Sequence, residues 1–470
     1  MKIRFALHTI MVLGMLSCET KQSSNTSTPI KPNIILINID DLGWGEPSFM
    51  GSTFYETPVI DDLSMQSVIF TNAYAAAANC APSRASLMTG KWTQRHGILT
   101  VGSSERGKSE DRKLIPTANK TEIDEKFLLI PELLKKGGYH TIHAGKWHLS
   151  NDPLQNGFAI NIGGSHAGHP SSYHAPFKNI DLKAEKGERL TGLIMDELIQ
   201  VLETNKEPFF VNYAPYAVHT PIQPVDSLLA KYHTKEKIPG KSNPSYATMI
   251  EDVDANIGKL ISHLKQTNQF KNTVIIFTSD NGGLFFVSNQ HPLRAGKGSY
   301  YEGGIRVPFF IVWKDKIDNG IRNNTPISNI DIYPTLLEIA NIDAPRDLIL
   351  DGNSLYPVLT KKKKIEERPL FWHFPVYLQA VAKENENRDS KFRTRPGSVI
   401  RYGKWKLHHY FEDDAIELYN LEDDLGEKNN LVDSLPEKTK ELFNLLEQWR
   451  ADTNAPVPNK LNPEYLQSPK

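Results

Sequence analysis

The sequence predicts an α/β fold: a mostly parallel sheet sandwiched by helices, with a smaller C-terminal α+β subdomain of antiparallel strands and one helix. Three observations predict it. From Pro32 onward, short continuous apolar runs alternate with helix-period patterns, the mark of parallel strands buried on both faces. Acidic, basic and imidazole side chains follow those runs repeatedly, as they do where ligands sit at the carboxyl ends of strands. Past residue 364 the pattern gives way to short runs separated by turn signals such as Tyr402-Gly403, which suits an antiparallel sheet. A chain of 470 residues is long enough for one large core with a smaller attached unit.

The chain begins with Lys2 and Arg4, an apolar run over 5–16, then Ser17-Cys18. This looks like a bacterial lipoprotein signal and is too short for a permanent span. Residues 1–17 are therefore expected as the signal, Cys18 as the lipidated residue, and 18–31 as a flexible tether. The expected destination is export to the periplasm, the outer membrane or the cell surface, with the lipid anchor as the only membrane contact. Residues 32–364 are the expected catalytic domain and 365–470 the C-terminal subdomain. A formal charge of -1 and the lack of a clustered basic face give no reason to expect nucleic acid. Cysteines stand only at 18 and 80, so with Cys18 assigned to a lipid no disulfide is expected.

The strands come next. Residues 33–39 are apolar and end in Asp40-Asp41-Leu42-Gly43, and 67–70 lead towards Cys80. A helix over 130–136, stopped by Gly137-Gly138, precedes a strand over 139–143 that delivers Gly145-Lys146-Trp147-His148. Residues 208–213 lead to Val218-His219-Thr220-Pro221, and 272–278 to Ser279-Asp280-Asn281-Gly282-Gly283. Met249, Ile250, Val253, Ile257, Leu260, Ile261 and Leu264 mark a helix packed on the sheet, and 332–339 another. Beyond the boundary, strands are expected over 370–374, 398–402, 405–409 and 416–419, closed by a helix presenting Leu442, Leu445, Leu446 and Trp449 on one face. The proline-rich tail after Asp452 is expected to lie irregularly over the surface.

Chemistry concentrates at the predicted strand ends. Pro82 stands where a helix takes its first turn, which places Cys80 at a helix N-terminus, where backbone N–H groups favour an anion. Arg84 lies about one turn further on the same face, and Lys91 is expected to brace Cys80. Asp40, Asp41, Asp280 and the Asn281 carbonyl offer only oxygen ligands, which select a hard cation, Ca2+ rather than Mg2+ for its looser coordination.

Cys80-Ala81-Pro82-Ser83-Arg84 followed by Leu87-Met88-Thr89-Gly90 resembles the maturation signature of the type I sulfatases. Gly145-Lys146-Trp147-His148, the His219-Thr220-Pro221 segment, Lys297 in Arg294-Ala295-Gly296-Lys297-Gly298, and Glu302-Gly303-Gly304-Ile305-Arg306 match that family's motifs in order, as far as Leu418-Tyr419-Asn420-Leu421. The resemblance implies an alkaline-phosphatase-like fold and a Cys80 oxidised to formylglycine (3-oxoalanine) by a formylglycine-generating maturation enzyme. It also implies one Ca2+ held by Asp40, Asp41, Asp280 and Asn281, with the modified Cys80 beside them as a further metal contact. The mechanism the resemblance implies has hydrated formylglycine at position 80 attacking sulfur with help from Arg84, Lys146 and Lys297 holding sulfate, His219 with Lys297 protonating the leaving alcohol, and His148 taking the last proton. Arg306 is read as structural support. Ser150 stands where the family commonly has Gly, a change expected to alter a loop only.

The expected substrate is a sulfated carbohydrate, with galactose or N-acetylgalactosamine 4-O-sulfate as the narrower choice. His166 and His169, the loop over 284–291 and Trp372-His373-Phe374-Pro375 are expected on the leaving-group side. For His166, His169 and His373 the competing reading is plain packing. Two alternatives stay open: a phosphodiesterase or phosphonate monoester hydrolase of the same superfamily, and an inactive exported glycan-binding lipoprotein whose residue 80 remains a thiol.

Overall fold

The computed structural model describes residues 31–361, 363–381 and 386–466. The signal, Cys18 and all but the last residue of the tether lie outside the described residues. Among the described residues no helix is long and apolar enough to cross a membrane.

Eight strands form the main sheet: β1 (Asn33–Ile39), β2 (Ser67–Phe70), β3 (His140–Gly145), β4 (Ile160–Ile162), β5 (Phe209–Ala214), β6 (Thr273–Ser279), β7 (Phe309–Trp313) and β8 (Ile321–Asn323). Their spatial order is β8-β2-β7-β6-β1-β5-β3-β4. Neighbours are parallel except where β7 meets β2 and β6. Six helices matter here: α1 (Cys80–Thr89), α2 (Ile130–Lys136), α3 (Leu190–Thr204), α4 (Pro244–Gln266), α5 (Ile332–Ala340) and α6 (Pro436–Asp452). Successive side chains of β1 go to opposite faces. Ile35, Ile37 and Ile39 pack with Leu198 of α3 and Val253, Ile257 and Leu260 of α4. Ile34 and Leu36 pack with Ala85 of α1, Leu133 of α2 and Leu336 of α5. The continuous apolar run of β1 is thus what a strand covered on both sides requires.

Register positions the site. Ile39 pairs with Ser279, so the next residues, Asp40 and Asp280, leave the sheet side by side. Gly145 pairs with Ala214, and Lys146 N–H donates to Ala214 O at 2.6 Å, which brings the third motif to the same rim.

The C-terminal sheet has the antiparallel order β9 (Leu370–Phe374), β10 (Gly397–Tyr402), β11 (Trp405–Tyr410) and β12 (Ile416–Asn420). Tyr402 pairs with Trp405, leaving a two-residue turn in which Gly403 takes a φ of 59°. Three expectations need adjusting. The strand expected over 139–143 starts one residue later because Tyr139 N–H still closes the helix stop on Leu134 O, at 3.0 Å. On α6, Leu442 and Leu446 are buried and Trp449 stacks on Phe371, but Leu445 is 37% exposed, since it falls off the line through 442, 446 and 449. Trp372 and His373 do not face the leaving-group side. They are buried in the C-terminal packing, where Trp372 Nε1–H donates to Ala75 O at 2.8 Å and the His373 ring meets Ser398 Oγ and Pro456 O. The sequence pattern did not single out β4, β7, β8 or α3 as elements, although the loop that follows β4 carries His166 and His169.

Candidate active site

Cys80 is the first residue of α1, entered through an extended Asn79. Pro82 follows within the first turn, where a missing N–H breaks no helical bond. All ten residues of α1 are buried, so its N-terminus meets the strand ends inside the protein. There Cys80 Sγ lies 3.5 Å from Asp40 Oδ1 and 3.8 Å from Asp41 Oδ1. Asp40, Asp41, Cys80 and Asp280 each offer a ligand atom, all within 4.8 Å of one another. That spread fits one ion with ligands at about 2.4 Å, the usual Ca2+–oxygen distance. Asn281 completes the set: its Nδ2–H donates to Asp41 Oδ1 at 2.8 Å, while its buried Oδ1 has no hydrogen-bond partner. Apart from Cys80 Sγ the donors are all oxygens, one of them an uncommitted carbonyl, and such a set fits a hard cation.

Cations surround the carboxylates. Lys146 Nζ donates to both oxygens of Asp40, at 2.7 and 2.9 Å, and is fully buried. Lys297 Nζ reaches Asp41 Oδ1 at 2.7 Å, and His219 Nε2 stands 3.5 Å from Asp41 Oδ2. These two side chains are 11% and 14% exposed, so they form the mouth while Lys146 closes the back. Arg84 sits beneath, with Nε donating to Asp280 Oδ2 and NH1 to Lys146 O, both at 2.8 Å. Its NH2 is 3.7 Å from Asp40 Oδ1, buried and without a hydrogen bond.

Two of these residues are backbone exceptions. Asp41 and His148 have φ of 62° and 65°, a left-handed conformation costing on the order of 1–2 kcal/mol each for a residue with a Cβ. The fold holds them there. His148 is buried with Nδ1 unpartnered, and the His166 ring lies edge-on to it at 6.0 Å. His169, exposed, lies parallel to His219 at 5.7 Å. Both loop histidines therefore adjoin site histidines.

Burial sets the protonation states. It pushes the Cys80 thiol up to about 12, despite Lys146 and Lys297, so an unmodified thiol is not a nucleophile at neutral pH. Burial raises Asp40 to about 7 against the pull of Lys146. For Asp41 burial is outweighed chiefly by the Lys297 ammonium, and the carboxyl falls below its usual range. Burial and then Lys297 hold His219 at about 3, and burial keeps His148 well below the ordinary histidine value, so both imidazoles are neutral. Burial opposes the charge on Lys297, but Asp41 holds it above the ordinary lysine value.

One expected contact is absent. Lys91 lies beyond Gly90, which ends α1 in a left-handed turn, and its amine donates to Ile349 O. The nine steps of helical rise from Cys80 to Thr89 already span about 14 Å, and with its amine committed to Ile349 O, Lys91 does not brace residue 80. Arg306 has the structural role expected of it, stacked over Trp44 at 4.6 Å and donating to Thr71 O. Sequence reasoning missed the group under Asp41. Tyr246 Oη–H donates to Glu46 Oε2 at 2.7 Å and lies 3.4 Å from Asp41 O, and Gln290 Nε2–H donates to Glu46 Oε1 at 3.1 Å. Gly43 was the available signal, since a Cβ there would lie 2.0 Å from Gln290 Oε1.

Paired cations and neutral imidazoles around a carboxylate cluster are what recognition of a tetrahedral anion requires, and the sheet that carries them has the alkaline-phosphatase-like architecture of hydrolases of anionic esters. The sulfatase family model matches residues 32–342, and that of the C-terminal part of N-sulphoglucosamine sulphohydrolase matches 296–452. A sulfatase of Formosa agariphila is 31% identical, over 88% of this chain and 87% of that one. The N-acetylgalactosamine-6-sulfatase of Rattus norvegicus is 29% identical, over 80% of this chain and 73% of its own. The crystal structure of Ps i-CgsB in complex with k-i-k-neocarrahexaose has 30% identity and a TM-score of 0.73, covering 90% of this chain and 93% of that one. The chain belongs to the sulfatase family and is a sulfuric ester hydrolase.

Proposed function

We propose that the protein removes sulfate esters from carbohydrates, using a formylglycine made from Cys80 and one Ca2+ held by Asp40, Asp41, Asp280 and Asn281. The observation that carries this is Cys80 at the head of a buried helix, 3.5 Å from Asp40 and inside the carboxylate group, as a thiol too basic to react. Ca2+ would supply Lewis-acid polarisation of the sulfate, and a formylglycine hydrate an oxygen nucleophile.

The chain's own residues do the rest. Lys297 and Lys146 turn from their carboxylates to the sulfate oxygens, matching charge developing in flight. Arg84 anchors Asp280 and fixes the cluster from below. Lys297 carries the proton at the mouth, and neutral His219 beside it relays that proton to the leaving alcohol, giving up its own N–H as it takes the one from Lys297. His148, neutral and with a free Nδ1, is the base that resets the site. His166 and His169, against His148 and His219, face the sugar.

A sugar substrate is supported by the relatives: one is named for N-acetylgalactosamine and one solved neighbour holds a neocarrahexaose. Galactose and N-acetylgalactosamine sulfates are the first candidates, with 4-O and 6-O esters tested side by side. Export with a lipid on Cys18 belongs to the same proposal, on the strength of the N-terminal charge and apolar run.

The test pairs peptide mass spectrometry of residue 80, after expression with a formylglycine-generating enzyme, with sulfate release from a panel of monosulfated sugars and matched phosphate esters. Formylglycine at 80 with release from at least one sugar is the expected result. An unmodified cysteine, or faster turnover of the phosphate esters, sinks the proposal.

A further inference from the structure

Away from the strand-end site, the described residues hold a second buried charge group, where the C-terminal sheet meets the loop carrying Lys297. Lys406, on β11, is fully buried and donates to Glu302 Oε1 and to Glu427 Oε1, both at 2.9 Å. Glu427 lies after β12, and its Oε2 accepts from Glu302 N–H at 2.6 Å. Its carbonyl accepts from Arg294 NH1 at 2.8 Å. One lysine from the C-terminal sheet thereby ties down residues 294 and 302, the two ends of the segment that contains Lys297.

That segment is stitched to the site on its other side. Gly303 N–H donates to Arg294 O at 2.9 Å and closes the loop. Lys297 N–H donates to Gly283 O at 2.9 Å, and Gly298 N–H to Ala78 O at 2.8 Å, two residues before Cys80. Arg393 NH1 donates to Lys297 O at 3.1 Å, and the Thr394 hydroxyl donates to Gly298 O. Within the loop Ala295 has a φ of 58°, a conformation that persists only when its surroundings impose it.

We infer that Lys406 and Glu427 are positioning residues for Lys297, so that the C-terminal sheet sets where the mouth ammonium stands. The inference rests on the reading of Lys297 as a sulfate-binding residue. Removing Lys406 takes away the one ammonium that the two buried carboxylates share, leaving Glu302 with Arg306 NH1 at 3.3 Å and Glu427 with only the His408 ring at 3.1 Å, so Glu427 and the Arg294 and Glu302 ends it holds must shift to relieve the uncompensated charge. A displacement near 1 Å of a binding group costs about 10²-fold.

Lys406→Met is made in the mature, Ca2+-loaded enzyme and in a Lys297→Ala background, reading kcat, KM and the affinity for inorganic sulfate by calorimetry. In the otherwise native protein, KM should rise and sulfate affinity fall by about 10–100-fold. In the Lys297→Ala background Lys406→Met should change neither by more than about twofold, since the group it positions is gone. An equal loss in both backgrounds overturns the inference and makes the triad ordinary scaffolding. Should Lys406→Met not fold, Glu427→Gln, which leaves Lys406 on Glu302, goes through the same cycle and is judged by the same two outcomes. If Lys297→Ala by itself leaves sulfate affinity unchanged, the reading of Lys297 fails, and the inference with it.

Discussion

Two buried charge groups lie on either side of the Lys297 loop, and they differ in how completely their polar atoms are used. Around Glu302, Lys406 and Glu427 every carboxylate oxygen has a donor, with Lys406 on one oxygen of each, Tyr74 on the second of Glu302 and the Glu302 amide on the second of Glu427, and the one buried atom left over beside them is His408 Nδ1. Around Asp40, Asp41 and Asp280 the accounts do not close. Asn281 Oδ1, Arg84 NH2 and His148 Nδ1 are buried without hydrogen bonds, and two residues are held at positive φ. A buried polar atom left alone costs about 1–3 kcal/mol, so a fold that keeps three of them together is reserving them for something that arrives. The closed group orders the chain, and the open group does chemistry.

That contrast is broken most directly at Cys80. Cys80→Ala should lower sulfate release by about 10⁴-fold or more while leaving the melting temperature close to that of the parent, because the side chain belongs to the open group. Substantial residual release, measured against a heat-killed control, would put the nucleophile elsewhere. Asp280→Ala is the next largest. It should weaken Ca2+ binding and turnover together, each by at least about 10²-fold, and cost about 3–5 kcal/mol of stability because buried Arg84 loses its partner. Calorimetric Ca2+ titration and a denaturant melt check the two halves, and activity that survives a strong chelator contradicts the cation site.

At the mouth the contrast is sharpened. His169→Ala should raise KM for a sulfated sugar about tenfold, the worth of one good hydrogen bond to a hydroxyl, and leave a small aryl sulfate unaffected. Equal effects on both substrates would return His169 to packing. The smallest effect on turnover belongs to His373, which burial holds at about 3 instead of 6.5. With the folded value depressed, its neutral form stabilises the protein above pH 6.5, and that contribution is lost as acid protonates the unfolded chain first. Each such histidine removes about 1.4 kcal/mol per pH unit below 6.5. His373→Gln should therefore flatten the decline of stability between pH 6.5 and 4 and leave neutral-pH turnover intact. An unchanged acid slope would mean that the ring is already charged when folded.

Much of this was legible in the residues. The apolar runs marked β1, β3, β5 and β6 because buried parallel strands tolerate little else, and the motifs after them were marked by their chemistry. Asp40, Asp41, Lys146, His219, Asp280, Asn281 and Lys297 meet as expected, and His166 and His169 stand beside site histidines. Lys91 and Trp372-His373 went astray for one reason: nearness in sequence to a motif says nothing about which way a helix end or a sheet face turns. Lys406 and Glu427 carried no signal, since a lysine in a short strand ordinarily points to water.

The sequence by itself determined the strands that end in Asp40-Asp41, Lys146, His219 and Asp280-Asn281, the donor types and the place of Cys80 at a helix start, because these follow from local periodicity and side-chain chemistry. Tertiary structure alone decided that Ile39 and Ser279 share a register, that Arg84 pairs with Asp280 instead of facing the mouth, and that the C-terminal sheet grips the Lys297 loop. Each of those depends on contacts between residues more than a hundred positions apart, and such contacts are settled by packing and burial of the whole chain rather than by any stretch of it.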